Sequence, residues 1–570
     1  MWRIKPSWLL AFTVVLLLGS ELNEMRQNTR WRRHNEAGRI ALDQGRPGDA
    51  ERDFRAAIEI AQSFAPDDSR LNASVLNLAD SLEAQGQYRD AESLLRRRLD
   101  SDGKDLAHEQ GDHYPVLTRL AALVKNRGEF VEAQDLARRA LAIAETRKET
   151  KTADTAYALT LMATACAGQT RLDEAERLYE EALKRWEASS GPDSLSSTWC
   201  LSSLAWIKCD RGAYAEAESL ADRVRAIREK VQGVDHPDTA LALADLAWFR
   251  SKQGSYQTAE PLLRRALEQS EKQLSPNHPN MASILNGLAL VVESQGRYAE
   301  AESYSRRALA IREQVWGGSQ PSWRLAESLS NLSGLLIERG EYAQAEPLHR
   351  RALKMYKRIR GPEDHQTAGC LQLGATLARK LERTTEAGEL AQRARAILEK
   401  SRGPAHPDLI PVLQEQGAIL LARDDPESAE PNLRRALDVS ENRLGMRHRD
   451  VGSSLDLLAQ SLAAQGKLDE AGSLATRSLA VTEQALGPEH PEVARSLLTL
   501  AQIDQAQGQL EQASARLQRA IELQEKGLGP HHPDLAKSCD QLAALYQDQG
   551  RNDEAAALVT RARTIRKMSR

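Results

Sequence analysis

Apolar and polar positions along this 570-residue chain recur with a fixed period. A segment of the form Q-G-x-Y-x-E-A-E marks each unit, as in QGQYRDAE at 85–92, RGAYAEAE at 211–218, QGSYQTAE at 253–260, QGRYAEAE at 295–302 and RGEYAQAE at 339–346. Counting from its glycine, positions −11, −8, −7 and −4 are apolar or small: Leu285, Leu288, Ala289 and Val292 in one unit, Leu455, Leu458, Ala459 and Leu462 in another. That spacing is one face of an α-helix. Positions +2, +5, +9 and +12 repeat the pattern after the glycine, as Tyr298, Ala301, Ser305 and Ala308 or Tyr256, Ala259, Leu263 and Ala266. Alanine at −7 and +5 falls where two helices of a hairpin come closest. The origins lie at 45, 86, 128, 170, 212, 254, 296, 340, 382, 424, 466, 508 and 550. The step is 42 residues, apart from 41 at the start and 44 between 296 and 340, where two residues are inserted after Pro321. Thr170, Glu382 and Asp424 replace the glycine. A long fixed period predicts stacked helix-turn-helix units, each burying its apolar face against its neighbours.

The joints between units carry their own signal. GPAHPDL at 403–409, GPEHPEV at 487–493 and GPHHPDL at 529–535 combine a helix stop with a helix start. Glycine ends one helix, proline fits the first position of the next, and Asp408, Glu492 or Asp534 complements the positive helix end. His236, His278, His406, His490 and His532 therefore recur as joint residues, too far apart in neighbouring units to share a metal ion. Arg-Arg pairs at 264–265, 306–307, 350–351 and 434–435 follow Glu260, Glu302, Glu346 and Glu430, each four residues before the first arginine. This is the favourable order for a helical ion pair, so the pairs read as a solvated face rather than a nucleic-acid stripe.

Composition supports a packed, helical chain. Hydrophobic residues make up 41% and aromatics only 4%, so leucine and alanine carry the packing, and a net charge of −4 gives no field for nucleic acid. Cys166, Cys200, Cys209, Cys370 and Cys539 show no metal-binding spacing and read as small core residues.

Arg3 and Lys5 precede an apolar run from Trp8 to Leu18. A basic region followed by such a run predicts a signal peptide. No A-x-A-like cleavage site follows, so an uncleaved signal anchor over residues 7–22, in contact with the membrane, is the competing expectation. The organisation expected is 1–22 signal peptide or signal anchor, 23–30 linker and 31–570 repeat array. The location expected is membrane-anchored by this single segment with the repeats on the non-cytoplasmic side, or exported after cleavage.

The repeated segments, among them HPDTALALADLAWFRSKQGSYQTAEPLLRRAL at 236–267 and HPEVARSLLTLAQIDQAQGQLEQASARLQRAI at 490–521, resemble tetratricopeptide repeats of the 42-residue kinesin-light-chain type. The resemblance runs from residue 31 to about 566. It implies an all-α, right-handed α-solenoid of about thirteen helix-turn-helix units that binds other proteins, not a specific partner. The N-terminal run and the shortness of residues 20–44 depart from kinesin light chains.

The resemblance also implies that the first helix of each unit lines a concave groove through positions −13, −10, −9 and −6. Those positions supply Arg119, Tyr157, Trp199, Trp206, Asp245, Trp248, Asn286 and Asn331, among others. Trp199 and Trp206 are two helical turns apart, and Trp248 repeats the slot of Trp206 one unit later. Aromatic residues dominate binding hot spots, and Asn286 and Asn331 could hydrogen-bond an extended peptide backbone. No P-loop, zinc-protease, nucleophile-elbow, kinase or dinucleotide motif occurs. The function expected is a non-catalytic scaffold for extended peptides, without cofactor, metal or nucleic acid. The alternatives are a self-assembling homo-oligomeric module and a regulatory subunit of a partner enzyme.

Overall fold

A computed structural model describes residues 6–44, 46–64, 68–85, 87–100, 113–127, 129–146, 152–169, 171–273, 278–316 and 322–568. Among them are 26 helices, from Pro6–Asp43 to Asn552–Met568, and no strand. They pair into thirteen hairpins, the two helices of each bracketing one of the thirteen sequence origins. The apolar positions face inward as their spacing requires: Leu285, Leu288, Val292, Leu455, Leu458 and Leu462 are fully buried. Ala301 and Ala471 at +5, and Ala459 at −7, are likewise fully buried where paired helices meet. All five cysteines are buried. The chain divides into two compact units, Met1–Leu204 and Ala205–Arg570.

The charged face is tied within and between hairpins. Arg264, Arg306 and Arg434 each bond the glutamate four residues earlier, Glu260, Glu302 and Glu430, at 2.7 to 2.8 Å. The second arginine of each pair reaches back one unit: Arg265 to Glu229 at 2.9 Å, Arg307 to Glu271 at 2.8 Å and Arg435 to Glu399 at 2.6 Å.

The N-terminal expectation needs correction. Among the described residues no helix is long and apolar enough to cross a membrane, which removes the transmembrane anchor, the membrane contact through residues 7–22 and the location drawn from them. The side chains of residues 6–21 lie outside the described residues. The eleven-residue run from Trp8 to Leu18 is long enough for only about 16 Å of helix, roughly half a hydrocarbon core. The helix continues unbroken from Pro6 to Asp43 through the stretch expected as a linker. Its later part is the first helix of the first hairpin: Trp31 Nε1 donates to Ser74 Oγ at 2.8 Å, and Asn77 Nδ2 donates to Asn35 Oδ1 at 2.7 Å.

Within Ala205–Arg570 the array also winds onto itself. Hairpin turns of one coil meet joints of the next, 194 to 196 residues later. His532 Nε2 donates to the Glu338 carbonyl at 2.8 Å, and His406 Nε2 to the Asp210 carbonyl at 2.8 Å. His448 and His490 lie against the Lys252 and Ser294 backbones in the same register, their Nε2 atoms short of a closed bond. Around them Arg402 bonds the Asp210 carbonyl at 2.7 Å, Arg449 reaches Ser294 Oγ at 3.3 Å, and Lys380 pairs with Asp534 at 3.0 Å. Each of the four rings does a second job: its Nδ1 accepts the backbone N–H two residues on, at 3.1 to 3.2 Å. This is the service an N-cap serine or aspartate renders elsewhere, and Asp364 renders it at its own joint, accepting from Gln366 N at 2.8 Å.

The glycines of the contacted turns explain why the glycine slot varies along the chain. Gly212, Gly296 and Gly340 have φ of 74°, 76° and 75°, and a Cβ on them would stand 2.5 to 2.8 Å from the ring of Pro407, Pro491 or Pro533. At Gly466, Gly508 and Gly550 nothing lies within 4 Å of that point. Glu382 and Asp424 hold the slot with φ of 61° and 59°, at turns where the described residues show no such joint.

Candidate functional site

In Met1–Leu204, Arg119 and Tyr157 line one cavity of 420 Å³, with Leu76, Asp80, Thr118 and Trp186. Arg119 sits on the Tyr114–Asn126 helix, where its guanidinium pairs with Asp80 at 2.5 Å and Glu83 at 2.6 Å. Burial pushes both carboxyls above their ordinary values, against the pull of that one arginine. Tyr157 is 41% exposed, and burial of its hydroxyl end raises its pKa. Trp199 is 55% exposed, and the Lys125 ammonium lies 5.4 Å from its ring centre. Burial lowers the Lys125 pKa, since it disfavours the charged form.

In Ala205–Arg570, Trp206 is 42% exposed and packs edge-on against Phe249, ring centres 5.0 Å apart. Trp248 is half-buried on the Pro237–Lys252 helix. It packs with Leu444 against a cluster that includes Tyr214, Leu246 and Phe249. The Lys252 ammonium stands 4.8 Å over its ring, and its Nε1 is buried without an acceptor. One turn before Phe249 stands Asp245, half-buried on the same helix, and burial pushes its carboxyl up to about 7. Asn331 is exposed. Asn286 is buried, with its Nδ2 donating to Ser328 Oγ at 2.9 Å, a bond between units.

Sequence reasoning grouped Tyr157 with the tryptophans, whereas the structure places it with Arg119. It named Asp245 by its slot but missed the lysines on two of the three indoles. Lys125 and Lys252 fall at −3 and −2, outside the four groove slots, which is why the slots did not reveal them. It also left out His448, since no proline follows that residue to complete the joint signature.

Models of the tetratricopeptide repeat match residues 114–188, 154–230, 204–265, 249–314, 369–442, 450–526 and 498–568, together more than half of the chain. Two further tetratricopeptide models match 325–366 and 74–107. No curated protein matches the chain. Among solved structures, BtubC (BKLC) from P. vanneervenii is 22% identical over 42% of this chain and 94% of its own, with a TM-score of 0.34. A Podosopora anserina protein of nearly identical TPR-like repeats, described as a kinesin light chain, is 22% identical over 36% of this chain and 97% of its own, with a TM-score of 0.32. The Cut9–Hcn1 hetero-tetramer of the APC/C is 14% identical over 94% of this chain and 87% of that one, with a TM-score of 0.47.

Proposed function

Because the chain belongs to the tetratricopeptide-repeat family, whose fold is generally that of a non-catalytic protein–protein interaction scaffold, we propose that it captures extended peptide segments along the face made by the first helices of its hairpins. The observation that carries this reading is the exposure of Tyr157, Trp199 and Trp206 on those helices, at 41%, 55% and 42%. The chain has only nine tryptophans and five phenylalanines. Large aromatic faces left in water are what a partner covers most profitably, since each removes a wide apolar area from solvent on binding. Asn331 would offer an amide to the peptide backbone, and Arg119 with its two carboxylates a polar stop in the cavity beside Tyr157. Asn286 drops out of the ligand set, its amide nitrogen being committed to Ser328.

Replacing Trp206 and Trp248 together by alanine tests this. A peptide or protein partner recovered from the native host with the intact chain should bind the double variant about 2 kcal/mol more weakly, near thirtyfold. Circular dichroism should report unchanged helix content. Equal affinity by calorimetry for both proteins would dismiss the groove.

A further inference from the structure

We propose that Asp245, framed by Trp206 and Trp248, anchors a lysine or arginine side chain of the captured peptide. The proposal rests on the peptide-binding reading above and adds the chemistry of one residue that the groove selects.

Three observations converge. The first is that Asp245 has no hydrogen-bond or ion-pair partner among the described residues. Of the charged groups around it only Arg228, on the Tyr214–Gln232 helix, acts on its carboxyl, and Arg228 is paired with Asp238 at 2.9 Å. The side chain is half-buried, and a carboxylate partly withdrawn from water without a cation beside it gains from an incoming guanidinium or ammonium. The second concerns the indoles. Trp199 and Trp248 each carry a lysine of this chain over the ring, whereas Trp206 carries none among the described residues. It offers its exposed side while Phe249 holds it at 63° between ring planes. Lys252 on Trp248 shows that an ammonium is accommodated on an indole in this very stretch of the groove. The third is position. Asp245 and Phe249 are four residues apart and Asp245 and Trp248 three apart, so all three share one face of the Pro237–Lys252 helix. A long cationic side chain can then lay its stem on Trp206 and bring its charge to Asp245.

The sign of the charge is the specific content of the proposal. Because burial holds the Asp245 carboxyl at about 7, part of the population is protonated near neutrality. A cationic ligand must displace that proton.

The experiment uses the full chain and two fluorescein-labelled ten-residue alanine–serine peptides, one with two arginines and its twin with citrulline in their place, followed by fluorescence anisotropy. The arginine peptide should bind at least tenfold more tightly. Asp245→Asn, which keeps the shape and removes only an unpaired charge, should bring the arginine peptide down to the citrulline level. For the intact chain the arginine peptide should gain up to tenfold in affinity per pH unit up to about pH 7 and then level off, while Asp245→Asn stays flat. If both peptides bind equally, and both are lost in the Trp206/Trp248 double alanine variant, the charge selection is wrong and the groove stands. If Asp245→Asn keeps the arginine preference, the anchor lies elsewhere and the proposal is overturned. Binding of neither peptide to the intact chain overturns the proposal together with the groove reading.

Discussion

Gly340→Ala is expected to loosen two segments nearly two hundred residues apart, whereas Gly508→Ala loosens one. The two glycines have almost the same backbone, with φ of 75° and 78°. Each substitution forces an alanine into the left-handed region, at about 1 kcal/mol. They differ in what the methyl meets. At Gly508 it meets open space, but at Gly340 it would stand 2.5 Å from Pro533 Cδ and 2.8 Å from Cγ. Pro533 cannot swing aside, because it is the first residue of the Pro533–Asp548 helix and its ring is fixed to the backbone. The coil contact must therefore open, adding about 1–3 kcal/mol of overpacking to the cost. It also breaks the bond from His532 to the Glu338 carbonyl. Hydrogen exchange read by mass spectrometry separates the two cases. Gly340→Ala should raise exchange both at 338–342 and at 530–536; Gly508→Ala should do so only around itself. The same response at 530–536 in both variants would mean that the turn contributes nothing to holding the joint.

Acid is expected to weaken the four histidine joints all at once. Burial lowers the pKa of His406, His448, His490 and His532 below the ordinary 6.5. The neighbouring charges are mixed: Asp408, Asp210 and Arg402 around His406; Asp450, Arg449 and Lys252 around His448; Glu492, Arg449 and Arg495 around His490; Asp534, Glu338 and Lys380 around His532. The acids pull the pKa up, and burial prevails. A base whose folded pKa is depressed takes its proton first in the unfolded chain. The stability it lends is complete above 6.5 and is lost as pH falls below that value. The geometry says what is lost. Nδ1 serves as an acceptor for a backbone N–H, and a proton there sets donor against donor, so the cap is lost; the carbonyl facing Nε2 favours the protonated ring and offsets only part of this. The urea midpoint of the intact chain should fall from pH 7.5 to 5.5. A variant with all four histidines changed to asparagine, which caps helices without titrating in this range, should fall less. Parallel profiles for the two proteins would remove the histidines as the cause.

The repeat register was readable because everything that fixes it lies within one unit: the apolar spacing, the alanines at the helix crossing, and the glycine–proline punctuation of the joint. The coil contact was not, since it joins residues 194 to 196 apart. Its register comes from the small rotation added at every unit, which no single unit displays. His532 shows the boundary between the two. Its place in the joint is plain from GPHHPDL, but its second partner, the Glu338 carbonyl, bears no local mark. In the candidate site, Trp206 was identified from its slot. Asn286 looked equivalent by the same rule, yet it sits buried against Ser328 because the slot rule counts residues and ignores how deeply neighbouring helices overlap. The extension of the first helix through residues 23–30 lacked a readable signal of its own, since that stretch is polar nearly all round and gains helical support from the hairpin that follows it.

The contact between coils has a bearing on copy number. Most 42-residue units bring both halves of it, a glycine turn on one side and a histidine joint on the other. The two residues inserted after Pro321 fall inside the Asp210–His406 interval of 196 and outside the Glu338–His532 interval of 194, and both bonds measure 2.8 Å. Loss or duplication of one whole unit would pass each turn to the next joint along and leave the rest paired as before. A gene for such a chain can thus drift in length by whole repeats, and what it must conserve is the sameness of the units rather than their number.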